Sequence, residues 1–338
     1  MIKIKALVLE DKMKLVMRDE PIPVPKDNEV LIKTKAATIC TSDVNDIKSN
    51  PFGIVLPMIM GHEGSGVITA VGKDVTDFKI GDEVTSHPVI SCGTCVSCKR
   101  GLSHLCDDME HLGINHGGVF AEFYTIRQDR IRKKPSGMTF PTATLMEPLC
   151  VCIEAVTRGN VNENSNVLVI GDGPFGVMIA NICTARGNKN VILLGRHEYR
   201  MSQAPNAVHL NEKECGNVND EILRLTNGEG IDSAIVCVGT GEAVDIAIEA
   251  LRSRGTVCIF SAVHDKYPID LFKVHVKELN ICGSCNDTDF LDEAVEMLKS
   301  GKFDGVVTHE IPFDEYEKAF DIAMNKKNTA LKVSMIFD

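Results

Sequence analysis

Four cysteines stand close together in SCGTCVSCKRGLSHLC (91–106), and they are Cys92, Cys95, Cys98 and Cys106. The C-x2-C-x2-C-x7-C spacing offers four thiolates that can close a tetrahedral zinc site with no position left open. An iron–sulfur run would need a shorter last gap and a proline after the fourth cysteine, and a reducing cytosol disfavours a disulfide. We therefore predict a structural zinc lobe at about residues 91–107 that takes no part in catalysis.

A second set of metal-binding residue types is spread along the chain. Cys40 lies in ICTSDVND, and His62 and Glu63 lie in GHEGSGVITAVG. Thiolate, imidazole and carboxylate together suit Zn²⁺, and a catalytic zinc keeps one position open for water or substrate. A further protein ligand must come from elsewhere, and Glu147 in LMEPLCV, just before the second half of the chain, is the candidate.

A glycine motif begins the second half of the chain. VLVIGDGPFGVMIA (167–180) contains G-x-G-x-x-G directly after a predicted strand and at the start of a predicted helix. The glycines allow a tight turn, close approach of a pyrophosphate and close helix packing, and the helix N-terminus supplies free N–H groups. The residues predicted to contact the nucleotide are Gly171, Gly173, Pro174, Phe175, Gly176, Val238 and Val263.

The end of the next predicted strand bears on the choice between NAD and NADP. An NAD site usually has Asp or Glu there, whereas NVILL runs into Gly195, Arg196 and His197, with Arg200 close behind. Gly195 leaves room for a phosphate, and a guanidinium can pair with it bidentately. We therefore predict NADP in preference to NAD; the alternative is that both arginines are solvated residues at a helix start.

The rhythm of the chain predicts two kinds of domain. The first ~145 residues hold short alternating runs, such as DEVTSHPVI (82–90), that predict an antiparallel or barrel-like β domain. From about 150, strands alternate with helical patterns such as AVDIAIEALRSRG (243–255), which predicts a doubly wound parallel sheet. We place domain boundaries at 147/148 and 284/285, with residues 285–338 returning to the first domain.

Composition restricts the partners. The chain has 338 residues, 44% of them hydrophobic, and a net charge of −11, which argues against nucleic acid and anionic membranes as partners. Its apolar runs are far shorter than the roughly 20 residues of a membrane span, and its N-terminus lacks a signal core. We therefore expect a cytoplasmic protein, in which the cysteines outside the metal motifs are mostly small buried residues.

The motifs together resemble one family. GHEGSGVITAVG is similar to the zinc-site signature of the zinc-dependent medium-chain alcohol and polyol dehydrogenases, CGTCVSCKRGLSHLC to their structural zinc lobe, and GDGPFG to their nucleotide fingerprint. The resemblance covers nearly the whole chain, in the family's order. It implies a GroES-like β-barrel catalytic domain joined to a Rossmann domain, two zinc ions per chain, and a homo-oligomer, either a dimer or a tetramer.

The same resemblance implies roles for single residues. Cys40, His62 and Glu147 match catalytic-zinc ligands, and Glu63 matches a carboxylate that binds zinc in some members or exchanges with Glu147. Ser42 matches the residue whose hydroxyl takes the substrate's proton in the family. Asp43 matches the partner of the histidine ligand. Glu-Pro-Leu at 147–149 is more like the polyol and sugar-alcohol branch.

Two departures from the family pattern concern the site. Asn45 stands where many members carry a histidine that passes the proton to solvent, and GGVF at 117–120 replaces DGGF. Lys332, in ALKV, is a candidate for a cofactor phosphate or else a solvated lysine.

The implied reaction is the reversible oxidation of a secondary alcohol, with zinc as Lewis acid and hydride transfer to the nicotinamide. An NADPH-dependent reductase of ketones or aldehydes is the same chemistry in reverse. From a different class, a nucleotide-binding redox sensor without turnover would require reactive thiols but would not require Cys40, His62 and Glu63 together.

Overall fold

The structure is a computed structural model that describes residues 3–188, 190–325 and 329–338. The strands are β1 (Lys3–Asp11), β2 (Lys14–Pro21), β3 (Glu29–Ile39), β4 (Met58–Ile59), β5 (Glu63–Val71), β6 (Glu83–Ser86), β7 (Val89–Ile90), β8 (Glu110–His111), β9 (Phe123–Arg127), β10 (Ile131–Lys133), β11 (Asn166–Ile170), β12 (Asn190–Gly195), β13 (Val208–Asn211), β14 (Ile231–Val236), β15 (Leu251–Ile259), β16 (Asn280–Gly283), β17 (Val307–Pro312) and β18 (Lys332–Ile336). The helices are α1 (Thr41–Ser49), α2 (Val96–Lys99), α3 (Phe140–Ala143), α4 (Met146–Arg158), α5 (Pro174–Ala185), α6 (Glu198–Met201), α7 (Val218–Leu225), α8 (Gly241–Ala250), α9 (Leu271–Val276), α10 (Leu291–Leu298) and α11 (Tyr316–Asn325).

The chain divides into two compact units. The first contains the described residues up to Pro148 and from Thr288 onward, and the second is Leu149–Asp287.

In the first unit, β3 is the central strand. It pairs antiparallel with β5, β9 and β18, in a sheet ordered β10-β6-β5-β3-β18-β17. Its apolar and β-branched residues are buried along almost the whole strand, which favours a central position. Smaller antiparallel sheets, β2-β1-β4 and β7-β8, complete the β structure, so the antiparallel β domain predicted for the first half is confirmed.

The second unit is built on a parallel sheet in the order β13-β12-β11-β14-β15-β16. All residues of β11 are buried, as expected for a strand covered on both faces. The sequential order reverses at β11, which has β12 on one side and β14 on the other. A ligand binds at such a switch point, beyond the carboxyl ends of the strands, and the glycine motif follows β11 there. The predicted doubly wound sheet is confirmed.

Two element predictions are wrong in detail. The run 82–90 is not one strand but β6 followed by β7, because Pro88 between them has no N–H to donate to a ladder. The helix predicted over 243–255 ends at Ala250, and Leu251 already has an extended backbone at the start of β15. Pairing of Leu251 with Ile231 of β14 outweighs the local helical pattern. Within the described residues, every helix is too short or too polar to cross a membrane.

Candidate active site

The first unit brings three of the predicted zinc ligands together. Cys40 is the N-cap residue of α1, and His62 and Glu63 lie at the start of β5, which pairs with β3 just before α1. Ligand atoms of the three side chains all lie within 4.8 Å of one another, and all three side chains are buried. One soft thiolate, one imidazole and one carboxylate in this arrangement fit a zinc ion.

Asp43 holds two members of this group. Its Oδ2 accepts a hydrogen bond from the backbone N–H of Cys40 at 2.8 Å, and its Oδ1 lies 3.2 Å from Nδ1 of His62. Although burial opposes it, Asp43 and Cys40 raise the pKa of His62 well above its usual value. With Nδ1 turned toward a carboxylate, the other ring nitrogen of His62 is the one available to a metal.

Among the described residues, only one of the two carboxylate oxygens of Glu63 has a polar partner. Its side chain is fully buried, and Oε1 pairs with Nζ of Lys332 from β18. Within the described part of the chain, Oε2 of Glu63 is buried without a hydrogen-bond partner. A buried carboxylate oxygen left without a partner is costly, and a bound cation would satisfy it.

The prediction for Lys332 is therefore wrong. Its side chain is 2% exposed, so it is not solvated, and it reaches Glu63 rather than a phosphate. Burial on its own would lower the pKa of Lys332, but the nearby carboxylate of Glu63 raises it.

Two further predicted residues lie near this group without joining it. Glu147 is buried in the first turn of α4, but within the described residues the close ligand group contains Cys40, His62 and Glu63 and not Glu147. Ser42 lies half-buried in the first turn of α1, two residues after Cys40, and Asn45 is exposed one turn later. The roles predicted for Glu147 and Ser42 remain predictions.

The four cysteines of the predicted lobe also converge. The ligand atoms of Cys92, Cys95, Cys98 and Cys106 lie within 4.8 Å of one another. The Sγ atoms of Cys92 and Cys98 are 4.0 Å apart, and those of Cys95 and Cys106 are 3.9 Å apart. Zinc–sulfur bonds of about 2.3 Å in a tetrahedron require a sulfur–sulfur separation of about 3.8 Å, so the cluster fits a closed zinc site.

Backbone groups stabilise the thiolate form within the lobe. Cys92 Sγ accepts from the N–H groups of Thr94 and Cys95, both at 3.4 Å, and Cys95 Sγ accepts from the N–H of Cys98 at 3.4 Å. The N–H and hydroxyl of Thr94 lower the pKa of Cys92 to about 6. Burial raises the pKa of Cys98 to about 12, and a zinc ion would offset this cost of ionisation.

A histidine that no sequence motif singles out lies beside the predicted catalytic centre. The His111 ring lies 5.7 Å from that of His62, between ring centroids, at an interplanar angle of 60°. Burial and the neighbouring His62 lower the pKa of His111 to about 3, so its ring is neutral. No spacing rule pointed to His111, because β8 is short and its position depends on pairing with β7.

In the second unit, the glycine motif makes the predicted turn. Gly171 has a φ of +116°, and a Cβ there would lie 2.7 Å from Val238 Cγ1. A Cβ on Gly176 would overlap the carbonyl oxygen of Gly171, so only glycine allows α5 to start so close to β11. Gly173 is the N-cap residue of α5. Because it has no side chain, it leaves the free N–H groups at the start of the helix unobstructed.

Two of the remaining predicted nucleotide contacts follow this turn directly in helix α5. Pro174 is the first residue of α5, and the Phe175 ring packs edge-to-face on Phe260 with centroids 5.1 Å apart. Val263 is half-buried beyond the end of β15.

A carboxylate does reach the end of β12, contrary to the sequence analysis. Asp172, within the glycine motif, accepts hydrogen bonds from the backbone N–H groups of Arg196 and His197 at 2.7 and 2.6 Å. His197 Nδ1 is 2.9 Å from the same oxygen, and Arg200 Nη1 is 3.9 Å from the other. Gly195 is needed because a Cβ there would lie 2.6 Å from Cβ of Asp172.

The Arg196 guanidinium pairs with a second carboxylate, that of Glu212. Its Nε donates to Glu212 Oε2 at 2.6 Å, and the side chain is 61% exposed.

Comparison with known proteins decides the family. Residues 26–136 match the alcohol dehydrogenase GroES-like domain, and residues 174–300 match the zinc-binding dehydrogenase domain. A sorbitol dehydrogenase from Bacillus subtilis (strain 168) is 30% identical, with 97% of this chain and 96% of that protein aligned. The chain belongs to the zinc-dependent medium-chain alcohol and polyol dehydrogenases. It is an oxidoreductase, and the predicted GroES-like and Rossmann folds are confirmed.

Solved structures of related dehydrogenases show the same fold with either cofactor. An alcohol dehydrogenase from Escherichia coli CFT073 complexed with NADH superposes with a TM-score of 0.91 at 25% identity, covering 99% of each chain. A zinc-binding dehydrogenase from Sinorhizobium meliloti 1021 bound to NADP has a TM-score of 0.90 at 25% identity, covering 99% of this chain and 100% of that one. The fold of these dehydrogenases therefore accommodates both nucleotides, and the choice between them depends on local residues.

Proposed function

We propose that this dehydrogenase oxidises a secondary hydroxyl of a polyol or sugar alcohol with NADP⁺, reversibly. The observation that carries the proposal is the buried group of Cys40, His62 and Glu63, with one carboxylate oxygen left for a cation. Zinc bound there supplies a Lewis acid that lowers the pKa of a substrate hydroxyl. Glu147, which is buried at the start of α4, is the ligand proposed to exchange with Glu63.

The chain's own residues orient the site and remove the proton. Asp43 fixes the His62 ring, and Lys332 fixes Glu63. The Ser42 hydroxyl, two residues from Cys40, accepts the substrate's proton. Since Asn45 is not an ionisable base, that proton leaves through hydroxyl groups and water rather than through an imidazole at this position.

The polyol assignment rests on two supports. The Glu-Pro-Leu run at 147–149 resembles the polyol branch, and an aligned relative bears the name sorbitol dehydrogenase. The reduction of a ketone or aldehyde by NADPH uses the same groups in reverse, so kinetics with both substrate forms would define the direction.

The preference for NADP is supported by the contacts of Asp172, the carboxylate at the end of β12. Asp172 already accepts two backbone N–H groups and faces the His197 ring, so it is poorly placed to accept a ribose 2′-hydroxyl. Arg196 is exposed and can exchange its contact with Glu212 for a 2′-phosphate.

We further propose two zinc ions per chain, a homo-oligomer, and a cytoplasmic location. None of the thirteen cysteines, all within the described residues, forms a disulfide, which suits a reducing compartment.

The proposed function is tested by assaying purified protein with NADP⁺ and a panel of polyols, before and after chelation of the metal. We expect activity with at least one polyol, its loss on chelation and its return with zinc. Activity that survives complete removal of metal would refute the zinc mechanism.

The cofactor preference is tested with Arg196→Gln. We expect kcat/KM for NADP⁺ to fall about 10-fold or more, since a charged contact contributes about 1.5–3 kcal/mol, while kcat/KM for NAD⁺ changes little. Arg254→Gln, an exposed arginine paired with Glu278, is the matched control. Equal loss with both cofactors would contradict the assignment of Arg196 to the phosphate.

A further inference from the structure

His111 is held in a fixed position by its own loop. It lies at the end of β8, opposite Val89 of β7. Its backbone N–H donates to Asn115 Oδ1 at 2.7 Å, and Asn115 Nδ2 donates to the carbonyl of Met109 at 2.8 Å. The Asn115 side chain thus holds the turn against the backbone of both Met109 and His111, which fixes the backbone position of His111.

One ring nitrogen of His111 is already used. Nδ1 lies 2.7 Å from the carbonyl oxygen of Leu112, and because a carbonyl can only accept, Nδ1 must carry the hydrogen. In the neutral ring, Nε2 then carries a lone pair and acts as a hydrogen-bond acceptor. Among the described residues, Nε2 has no hydrogen-bond partner, and the ring is partly exposed.

The position of this acceptor relative to the catalytic group restricts its role. The ring centroids of His111 and His62 are 5.7 Å apart, but His111 is outside the described group whose ligand atoms lie within 4.8 Å of one another. The His111 ring therefore neighbours a proposed metal ligand, His62, without being a ligand itself. A hydroxyl on the carbon next to the reacting carbon would extend from the reacting oxygen toward side chains that neighbour the metal ligands.

We propose that His111 is a substrate-binding residue whose Nε2 accepts a hydrogen bond from a second hydroxyl, adjacent to the carbon that is oxidised. The enzyme would then select vicinal diols and longer polyols over alcohols with a single hydroxyl. This inference rests on the proposed function, because it assumes a secondary alcohol that reacts beside His62.

The kinetic test compares 2,3-butanediol with 2-butanol, which differ by one hydroxyl, in the zinc-loaded enzyme. We expect His111→Leu to lower kcat/KM for the diol about 10-fold, the effect of one good hydrogen bond, and to leave that for 2-butanol within about twofold. His111→Gln, which keeps an acceptor, should recover part of the diol preference. His116→Leu is the matched control in the same turn, since His116 Nδ1 likewise contacts a neighbouring carbonyl, that of Gly117.

A second readout does not depend on turnover. In ¹⁵N-detected NMR spectra of the zinc-loaded protein, we expect His111 to be protonated on Nδ1. Addition of 2,3-butanediol should shift the Nε2 resonance, whereas 2-butanol should not.

The outcomes separate the two proposals. If the wild type oxidises neither alcohol nor any polyol, the proposed function itself fails. If the wild type oxidises both alcohols, and His111→Leu either lowers kcat/KM equally for both or lowers it for neither, only the role of His111 is overturned. A His111 ring protonated on Nε2 would also overturn it.

Discussion

Lys332 and Glu63 form an ion pair in which both side chains are almost completely removed from solvent, at 2% and 0% exposure. A buried pair gains little over apolar residues of the same size, but removing one partner leaves an uncompensated buried charge. The pair therefore fixes the conformation of Glu63 beside Cys40 and His62, and a change in either partner should alter stability as well as the site.

We expect Lys332→Met to lower the free energy of unfolding by about 3–5 kcal/mol in the metal-free protein, because the buried Glu63 carboxylate then loses the cationic group that it pairs with. The double variant with Glu63→Gln should recover most of this loss. Urea unfolding of the two single variants and the double variant measures the coupling. Lys318→Met, in an exposed pair with Glu315, is the control and should cost under about 0.5 kcal/mol. Additive single effects would contradict the coupling.

Asp46 on α1 predicts a pH dependence of stability. It is 3% exposed, and burial, together with the nearby Asp43 carboxylate, raises its pKa from 3.8 to about 6. The folded state therefore binds the proton more tightly than the unfolded state, and this residue's contribution to stability falls as pH rises from about 4 to 6.

Asp46→Asn removes that titration without changing the size of the side chain. We expect the variant to be more stable than wild type by about 1–3 kcal/mol at pH 8 and similar to it at pH 4, as measured by urea unfolding. Asp265→Asn, in an exposed loop, should show no such difference. A constant gain at both pH values would mean that the ionisation of Asp46 is not the cause.

At the scale of elements, the sequence predicted best what depends on neighbours in the chain. The spacing of the four cysteines and of Gly171, Gly173 and Gly176 is local, and the structure makes a sulfur cluster and a tight turn there. The Lys332–Glu63 contact joins strands 269 positions apart and follows only from the pairing of β18 and β5 with β3. Nothing in ALKV indicates how deeply Lys332 is buried.

At the end of β12, too, a contact between residues distant in the chain could not be predicted from the sequence. The sequence has no carboxylate directly after the strand, whereas the structure supplies one from Asp172, in the turn that follows β11. The parallel pairing of β11 and β12 brings their carboxyl ends together, so a residue 24 positions earlier in the chain takes the place beside Arg196.

The cysteine lobe is a short element with few apolar contacts of its own. Its helix α2 has four residues, none of them buried, so metal binding would supply most of its order. We expect Cys98→Ser to lower the zinc content from two ions to one per chain and the melting temperature by several degrees, with less effect on turnover per folded molecule. Elemental analysis and thermal unfolding measure both, with Cys285→Ser, an exposed thiol, as control. The reverse pattern would make the lobe catalytic.

For the molecule as a whole, one edge of the parallel sheet bears on the proposed homo-oligomer. β16 is the terminal strand next to β15, and its residues are largely exposed. Ile281 on β16 is 38% exposed, and α9, which leads into β16, exposes Leu271 at 72%, Phe272 at 74% and Val276 at 56%. An unpaired strand edge beside exposed apolar side chains is a template for pairing with a second copy, and a two-fold axis would satisfy both edges at once.

We therefore expect Ile281→Lys to dissociate the proposed homo-oligomer into smaller species, because it places a charge at the centre of the paired edges. Size-exclusion chromatography with light scattering measures the mass. Val208→Lys is the matched control: Val208 lies on β13, the opposite edge of the same sheet, and is 40% exposed. If Val208→Lys dissociates the assembly and Ile281→Lys does not, the subunits associate through the β13 edge. A wild-type monomer at micromolar concentration would refute the homo-oligomer itself.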